Sequence, residues 1–506
     1  MIRKIKLYIT LAAVALSATS CLDKYPEDAI PEKDAMTTVE QANQVVIGIY
    51  AGFKSSALYS GYLTLLPDLQ SDFVYAVNGF TNTYGNAWRW DILATNTEVT
   101  AVYGQLYAII GRCNFFLEKV DAVAANTMDD DKLDKLEGYK GEVYFARALA
   151  YSELIKMFCK AYESDAAAEK ELGMALISSY SNAGRPKRAS LKASYEFVLS
   201  DLQKASEYLA MDENDNSIIS NTGYFTIGTV NSLYARTYLY MRNWDKAIEY
   251  SSKVIDSKKY TLASVNRAAN ATGISEYGYM WAYDGSDEII WKVTFDINSY
   301  GGSLGRIFFN FDYSSYKPDY VPAEWVLNLY SNSDLRGTAC FQSLTTGYSH
   351  GLTWPLLIKY YGNRTFMNSG ILHINMPKPF RLSEQYLIRA EAYCNKGEAF
   401  YSKAGKDITT LRTARFKTYG GSTVVNKANW EKMIEEERVK ELYMEGFRLN
   451  DLKRWHKGFE RKPQTSTVAP GNSLKIDASN PLFVWPIPQH ELQSPDADIE
   501  PNESNK

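Results

Sequence analysis

The residues best spaced for chemistry are three glutamates, Glu437, Glu441 and Glu445, set four apart in the stretch IEEERVKELYMEGFRLNDLKRW from Ile434 to Trp455. On a helix this spacing puts all three carboxylates on one face. Aligned carboxylates can do acid–base work or hold a cation. Here, however, Trp430, Met433 and Ile434 begin an apolar stripe. Continuing that stripe by threes and fours lands on Glu437, Arg438, Glu441, Leu442 and Glu445. The acids therefore fall on the buried side, where charge is costly unless paired. No Glu-x-x-His pair accompanies them, and the interleaved arginines would compete with a metal. The pattern points to a structural ion-pair network in which Glu437, Glu441 and Glu445 pair with Arg438, Arg448 and Arg454. Asn429 is placed as the helix N-cap and Gly446 as its end.

A second chemistry is written in two aromatic stretches, NGFTNTYGNAWRWD and EYGYMWAYDG. A flat ring stacks on the C–H face of a sugar, and Asn, Asp or Arg bonds its hydroxyl rim. On that chemistry Trp88 and Trp281 are the stacking candidates. Asn82 and Arg89 are the hydroxyl partners, with Tyr84, Trp90, Tyr279 and Tyr283 around them. Alternation along each stretch predicts that about half of the rings are buried. Tyr313, Tyr316 and Trp354 are further candidates. The rival reading packs all these rings into the scaffold. A glycoside hydrolase needs two positioned carboxylates. Asp72, Asp91 and Asp284 lie among the aromatics, but no spacing singles out a pair. The four histidines, His350, His373, His456 and His490, are scattered. No catalytic residue, metal ligand or cofactor motif is assigned.

These residues must be positioned by a chain of 506 residues, long enough for a large core. The net charge of −4 and the lack of a basic block argue against a nucleic-acid partner. Arg3, Lys4 and Lys6 precede a short apolar run, and Ser17 to Ser20 lead to Cys21. Residues 1–20 read as a signal peptide and Cys21 as a lipidated cysteine. A plain secretory signal is the alternative. Cys113, Cys159, Cys340 and Cys394 form no C-x-x-C pair and read as buried thiols.

The chain then divides into a tether, 21–36, and an N-terminal helical scaffold, 37–259, interrupted by an aromatic loop at 67–96. A loop-rich segment follows at 260–380, then a C-terminal helical part and closing segment at 381–506. Helical spacing predicts helices from Glu98 to about Ala122, from Leu133 to Cys159, and as a hairpin from Thr226 to Ile255 turning at Asn243 and Trp244. Arg188 to Leu191 is read as a helix start, and Ala323 to Tyr330 as a further helix. Glu288 to Val293 reads as a strand.

Several of these stretches together resemble one family. Ile434, Glu437-Arg438, Glu441-Leu442, Glu445-Gly446, Arg448 and Asp451 to Trp455 are similar to the C-terminal signature of SusD/RagB proteins. Gly141-Glu142, Phe145 to Ala148, Asp334 to Arg336 and Val484 to Pro488 resemble further markers. The resemblance implies a mostly α fold, a tetratricopeptide-like helical scaffold with an irregular, partly β ligand-binding half. It implies no enzyme. It implies instead a lipid-anchored, surface-facing outer-membrane lipoprotein that binds oligosaccharides and hands them to a SusC-type TonB-dependent transporter. A peptide-binding member, or a non-binding helical scaffold or adhesin, is the alternative.

Overall fold

The structure is a computed structural model that describes residues 35–180, 185–210, 222–270, 273–311, 314–347, 353–461 and 474–506. Cys21, Tyr313 and His350 lie outside the described residues. Most described residues are helical. Helix α1 (Val39–Phe53) starts at a capping box, in which Thr38 accepts from the Gln41 backbone and Gln41 reaches back. It turns Val39, Ala42, Val46, Ile49 and Phe53 inward. After the short α2 (Tyr62–Leu69) and α3 (Gly85–Arg89) come two long helices, α4 (Thr97–Ala125) and α5 (Asp130–Phe158). Helix α5 packs on α4 and on α6 (Leu191–Leu209). Gly141 permits that approach, since a β-carbon there would meet Tyr208 and Leu209. Inside this layer Arg147 of α5 donates to both carboxylate oxygens of Asp201 on α6 at 2.8 Å and to Asn114 Oδ1 of α4 at 2.7 Å.

Two hairpins stand beside this layer. Helices α7 (Ile227–Tyr240) and α8 (Trp244–Asp256) turn at Asn243, whose side chain caps α8. Helix α8 then packs on α10 (Leu382–Asn395), which pairs with α11 (Tyr401–Arg415); α9 (Glu276–Ala282) belongs to the loop-rich part. Small residues let the backbones meet: Ala235, Ala247 and Ala392 share a compact cluster with Leu239 and Ile388.

Among the described residues the sheets are all two-stranded. The one that matters for the loops joins β1 (Val74–Ala76) to β2 (Tyr320–Pro322), antiparallel, with Tyr75 opposite Val321. The segment 67–96 is thus not one loop. Pro67 lies inside α2, and a strand and α3 follow. Arg188–Ser190, expected to open a helix, forms a strand against Leu172–Ala175, and Ser190 then caps α6.

The glutamate stretch forms α12 (Trp430–Leu442) and α13 (Arg448–Arg454). Asn429 makes no side-chain cap, and the helix stops before Glu445. Tyr443 leaves helical geometry, and Met444 adopts a left-handed φ of 59°. Tyr443 packs on Phe73 and Phe341 and donates to the Phe73 carbonyl. Burying that ring ends the helix ahead of Gly446.

Glu437 and Glu441 are buried and Glu445 is largely so, all among cations, but from other segments than those expected. Glu441 accepts from Arg336, Arg381 and Arg415 at 2.9–3.0 Å. Glu445 accepts from Lys359 and Arg381. Arg438 instead pairs with Asp451, Arg448 with Asp72 and Glu435, and Arg454 with Glu391 and Asp451. The reason is angular. Neighbouring residues on a helix point about 100° apart, so Glu437 and Glu441 share one face while Arg438 faces α13.

Candidate functional site

Residues 77–92, which include the short α3, have a backbone forced into unusual geometry. Asn82, Tyr84 and Trp90 all lie in the left-handed region, at φ 65°, 57° and 60°. Each such residue costs about 1–3 kcal/mol and persists only where its surroundings hold it. The clamp comes from far along the chain. Asp319 accepts from Thr81 N at 2.6 Å and Thr81 Oγ1 at 2.9 Å, and Tyr320 OH donates to the Thr83 carbonyl at 2.7 Å. Arg89 donates to Asn82 Oδ1 at 2.6 Å and to Asn86 Oδ1 at 3.1 Å. Gly85 sits beneath that pair, where a β-carbon would strike the Asn82 amide.

The result is a hollow of about 100 Å³ lined by Asn82, Tyr84, Asn86, Asn96, Glu98 and Trp485. Tyr84 is half-buried and meets Tyr62 edge-on at 5.7 Å. Burial, with Tyr62 and Glu98 adding to it, pushes the Tyr84 phenol up to about 12, so it stays a neutral donor. Asn82 and Arg89 remain exposed. The structure thus brings Asn82, Tyr84 and Arg89 together.

It does not do the same for the tryptophans. Trp88 is 5% exposed, donates to the Val74 carbonyl, and packs on Phe80 and Tyr320 under the Arg461 guanidinium. Trp90 is swung by its left-handed backbone into a separate cluster with Phe459 and Phe483. Trp281 is 4% exposed, ringed by Lys359 and Lys378 at 4.2 and 4.7 Å and by Arg381. The expectation that Trp88 and Trp281 offer open faces is therefore corrected. The second stretch is also helical, not alternating. Tyr277, Met280 and Trp281 share the inward face of α9 at helical spacing. Tyr279 and Tyr283, four apart on another face, are half-buried and stack on each other at 4.6 Å.

Further half-buried rings gather in the loop-rich part after these stretches. Tyr316 stacks on Phe311 at 4.7 Å, meets Phe309, and shares a 2.9 Å hydrogen bond with Tyr361 through their hydroxyls. His373 stacks on Phe309 and bonds the Tyr361 carbonyl through Nδ1; burial lowers its pKa, which favours the neutral ring. The field of Arg306 reaches both Tyr84 and His373. Tyr62, Arg306 and Tyr361 escaped the sequence reading, because only the fold, and no local spacing, sets them beside these rings. Trp354 is half-buried, with its indole donating to the Pro322 carbonyl. Of the carboxylates flagged for hydrolysis, Asp91 is exposed and the other two are occupied. Asp72 pairs with Arg448, and buried Asp284 accepts from Lys378, Asn363 and the Met376 backbone.

A helical body holding a strained, tyrosine-rich loop face defines the class, and comparison with known proteins gives the family. A profile described as the SusD family matches residues 156–499, and one described as starch-binding, associating with the outer membrane, matches 22–239. The chain belongs to the SusD family. A curated relative, SusD-like protein P2 of Formosa agariphila, is 24% identical over 260 residues, and the chain spans about half its length, 47%. A SusD superfamily protein from Bacteroides thetaiotaomicron superposes with a TM-score of 0.76 at 22% identity, covering 92% of this chain and 99% of the other. Surface glycan-binding protein A from Bacteroides fluxus gives 0.66 at 18%, covering 92% and 99%. At these identities the structures speak for a shared fold.

Proposed function

We propose that this protein captures oligosaccharides on the face built by Asn82, Tyr84 and Arg89, with Tyr279 and Tyr283 extending it. It then hands them to a SusC-type TonB-dependent transporter. The observation that carries this reading is the strained segment 77–92, which holds an exposed amide and guanidinium beside a half-buried phenol. Strain is maintained there by Asp319 and Tyr320, and strained backbone gathers at ligand clamps. The residues offer stacking and hydroxyl contacts, which suits binding of a sugar. Family membership and a glycan-binding structural neighbour support the same reading. Trp88 packs on Tyr320, whose hydroxyl holds the Thr83 carbonyl of the same loop. Attachment to the outer membrane, cell-surface facing, is through lipid on Cys21; replacing Cys21→Ala should release the protein from membranes.

The test is a glycan array probed with lipid-free protein, followed by calorimetry on Tyr84→Ala and Arg89→Ala. Both variants should fold and bind the captured glycan at least tenfold more weakly, about 1.4 kcal/mol. Unchanged affinity in both would remove this face from the reading. Binding of peptides in place of glycans would favour the peptide-binding alternative.

A further inference from the structure

Away from the loop face, three helix ends converge on a pocket that the binding reading does not use. Trp244 is the first residue of α8, Trp430 the first of α12, and Trp455 follows the last residue of α13. All three indoles are half-buried, and all three line one cavity of about 220 Å³ whose floor includes the buried Leu239 and Ile434. Tyr240 lines the same cavity, and its hydroxyl is buried with no hydrogen-bond partner among the described residues. A buried hydroxyl without a partner costs free energy; this one is closed to water in the structure, so a ligand oxygen in the cavity would relieve it after a small shift of the wall.

The cations around the pocket are already neutralised. Arg242 and His456 both meet Glu163, Lys457 meets Glu435, and Arg454 meets Glu391 and Asp451. Trp455 spends its own N–H on Glu391 at 2.8 Å. An anion would therefore gain little here. Flat apolar walls, one waiting hydroxyl and a polar rim fit a ring with apolar faces and neutral hydroxyl edges. The volume lies below the roughly 300 Å³ at which pockets for drug-sized ligands begin, so it suits one ring rather than a chain.

We infer that the pocket of Trp244, Trp430, Trp455 and Tyr240 is a second binding site, for a single neutral sugar ring. The inference goes beyond the loop-face reading and holds even if that face binds peptides.

The full lipid-free chain, labelled with 5-fluorotryptophan, tests it by fluorine NMR. Resonances are assigned from Trp244→Phe, Trp430→Phe and Trp455→Phe. The probes are D-glucose, D-galactose, D-mannose and D-xylose, with D-glucuronate and indole as rival classes. At least one neutral sugar should shift the Trp244 and Trp430 resonances saturably in the millimolar range. Tyr240→Phe should weaken that sugar about two- to tenfold. It should melt at or above the wild type, since it removes an unpaired buried hydroxyl. The loop variant Tyr84→Ala should keep the shifts, which separates the two sites. The inference is overturned if no neutral sugar moves these resonances at tens of millimolar, or if glucuronate or indole binds more tightly. Unchanged affinity in Tyr240→Phe overturns it too.

Discussion

Glu437→Gln isolates one member of the buried ion-pair network. Glu437 is fully buried; its Oε1 accepts from Arg336 at 2.7 Å and its Oε2 from Arg412 at 2.8 Å, with Lys440 at 3.2 Å. Burial alone would raise its pKa. The three cations overcome that and hold it at about 2, against an ordinary value of 4.5. At ~1.4 kcal/mol for each tenfold change in the proton equilibrium, that difference corresponds to about 3 kcal/mol. An acid whose folded pKa is lowered gives stability that is present above its unfolded pKa. That stability is lost as pH falls through the folded pKa. The window here runs from 4.5 down to about 2. The neutral isostere should therefore cost about 3 kcal/mol near neutrality, in line with the ~3–5 kcal/mol typical of a broken buried pair. By about pH 3 the gap should shrink to roughly half. Urea unfolding followed by far-UV circular dichroism, at about pH 7, 5 and 3, reads this from the midpoints at constant m. A gap that does not change with pH would assign the loss to packing instead. A loss under ~1 kcal/mol near neutrality would mean that the cations do not act on this carboxylate.

Three other outcomes follow from the same structure. Trp88→Ala and Trp281→Ala should each cost about 3–5 kcal/mol in chemical denaturation, because both rings are core; a variant that stays as stable as wild type would put its ring outside the core. Arg147→Ala should cost about 3–5 kcal/mol by stranding buried Asp201 between α5 and α6, and a difference below ~1 kcal/mol in urea midpoints would contradict the pairing. Cys113, Cys159, Cys340 and Cys394 are buried free thiols whose pKa values burial raises, Cys159 and Cys340 to about 11. They should react with a thiol reagent only as the protein unfolds, and fast labelling of native protein would refute that burial.

Much of the helical part could be read directly, because its signals are local. The helices expected from Glu98 and Leu133 begin at Thr97 and Asp130, where Asp129 caps the second. The hairpin turn at Asn243 is likewise set by residues within one turn of each other. The charged stripe of α12 announced buried acids because a helical period carried them onto an apolar face. Their partners could not be read. Arg336, Arg381 and Arg415 stand in three other segments, and nothing near Glu441 names them. The end of α12 was missed for a similar reason. Tyr443 is pulled into a core made by Phe73 and Phe341, far away in sequence, and the backbone gives way at Met444.

The loop face shows the same division between local and distant causes. Gly, Asn and aromatic composition located the strained segment, since turn-forming residues mark where a backbone can leave regular geometry. It could not say which rings face out. Trp88 is covered by Tyr320 and Arg461, and Trp281 by Lys359, Lys378 and Arg381. Each cover comes from a segment far along the chain. The choice between tryptophan and tyrosine follows from size and polarity. The larger, mainly apolar indole gains more from burial, and one backbone carbonyl can satisfy its single N–H, as Val74 does for Trp88 and Gln70 for Trp90, although the Trp281 N–H is buried with no partner among the described residues. A phenol keeps a hydroxyl that can donate and accept at the boundary with water, as in the Tyr316–Tyr361 pair. On this face Tyr84, Tyr279, Tyr283, Tyr316 and Tyr361 are left at the rim, whereas Tyr277 and Tyr320 are buried beside the indoles. If this face binds a glycan, its stacking surface is made of phenols, and ligand specificity then lies in how Asp319 and Tyr320 hold the loop that carries Tyr84.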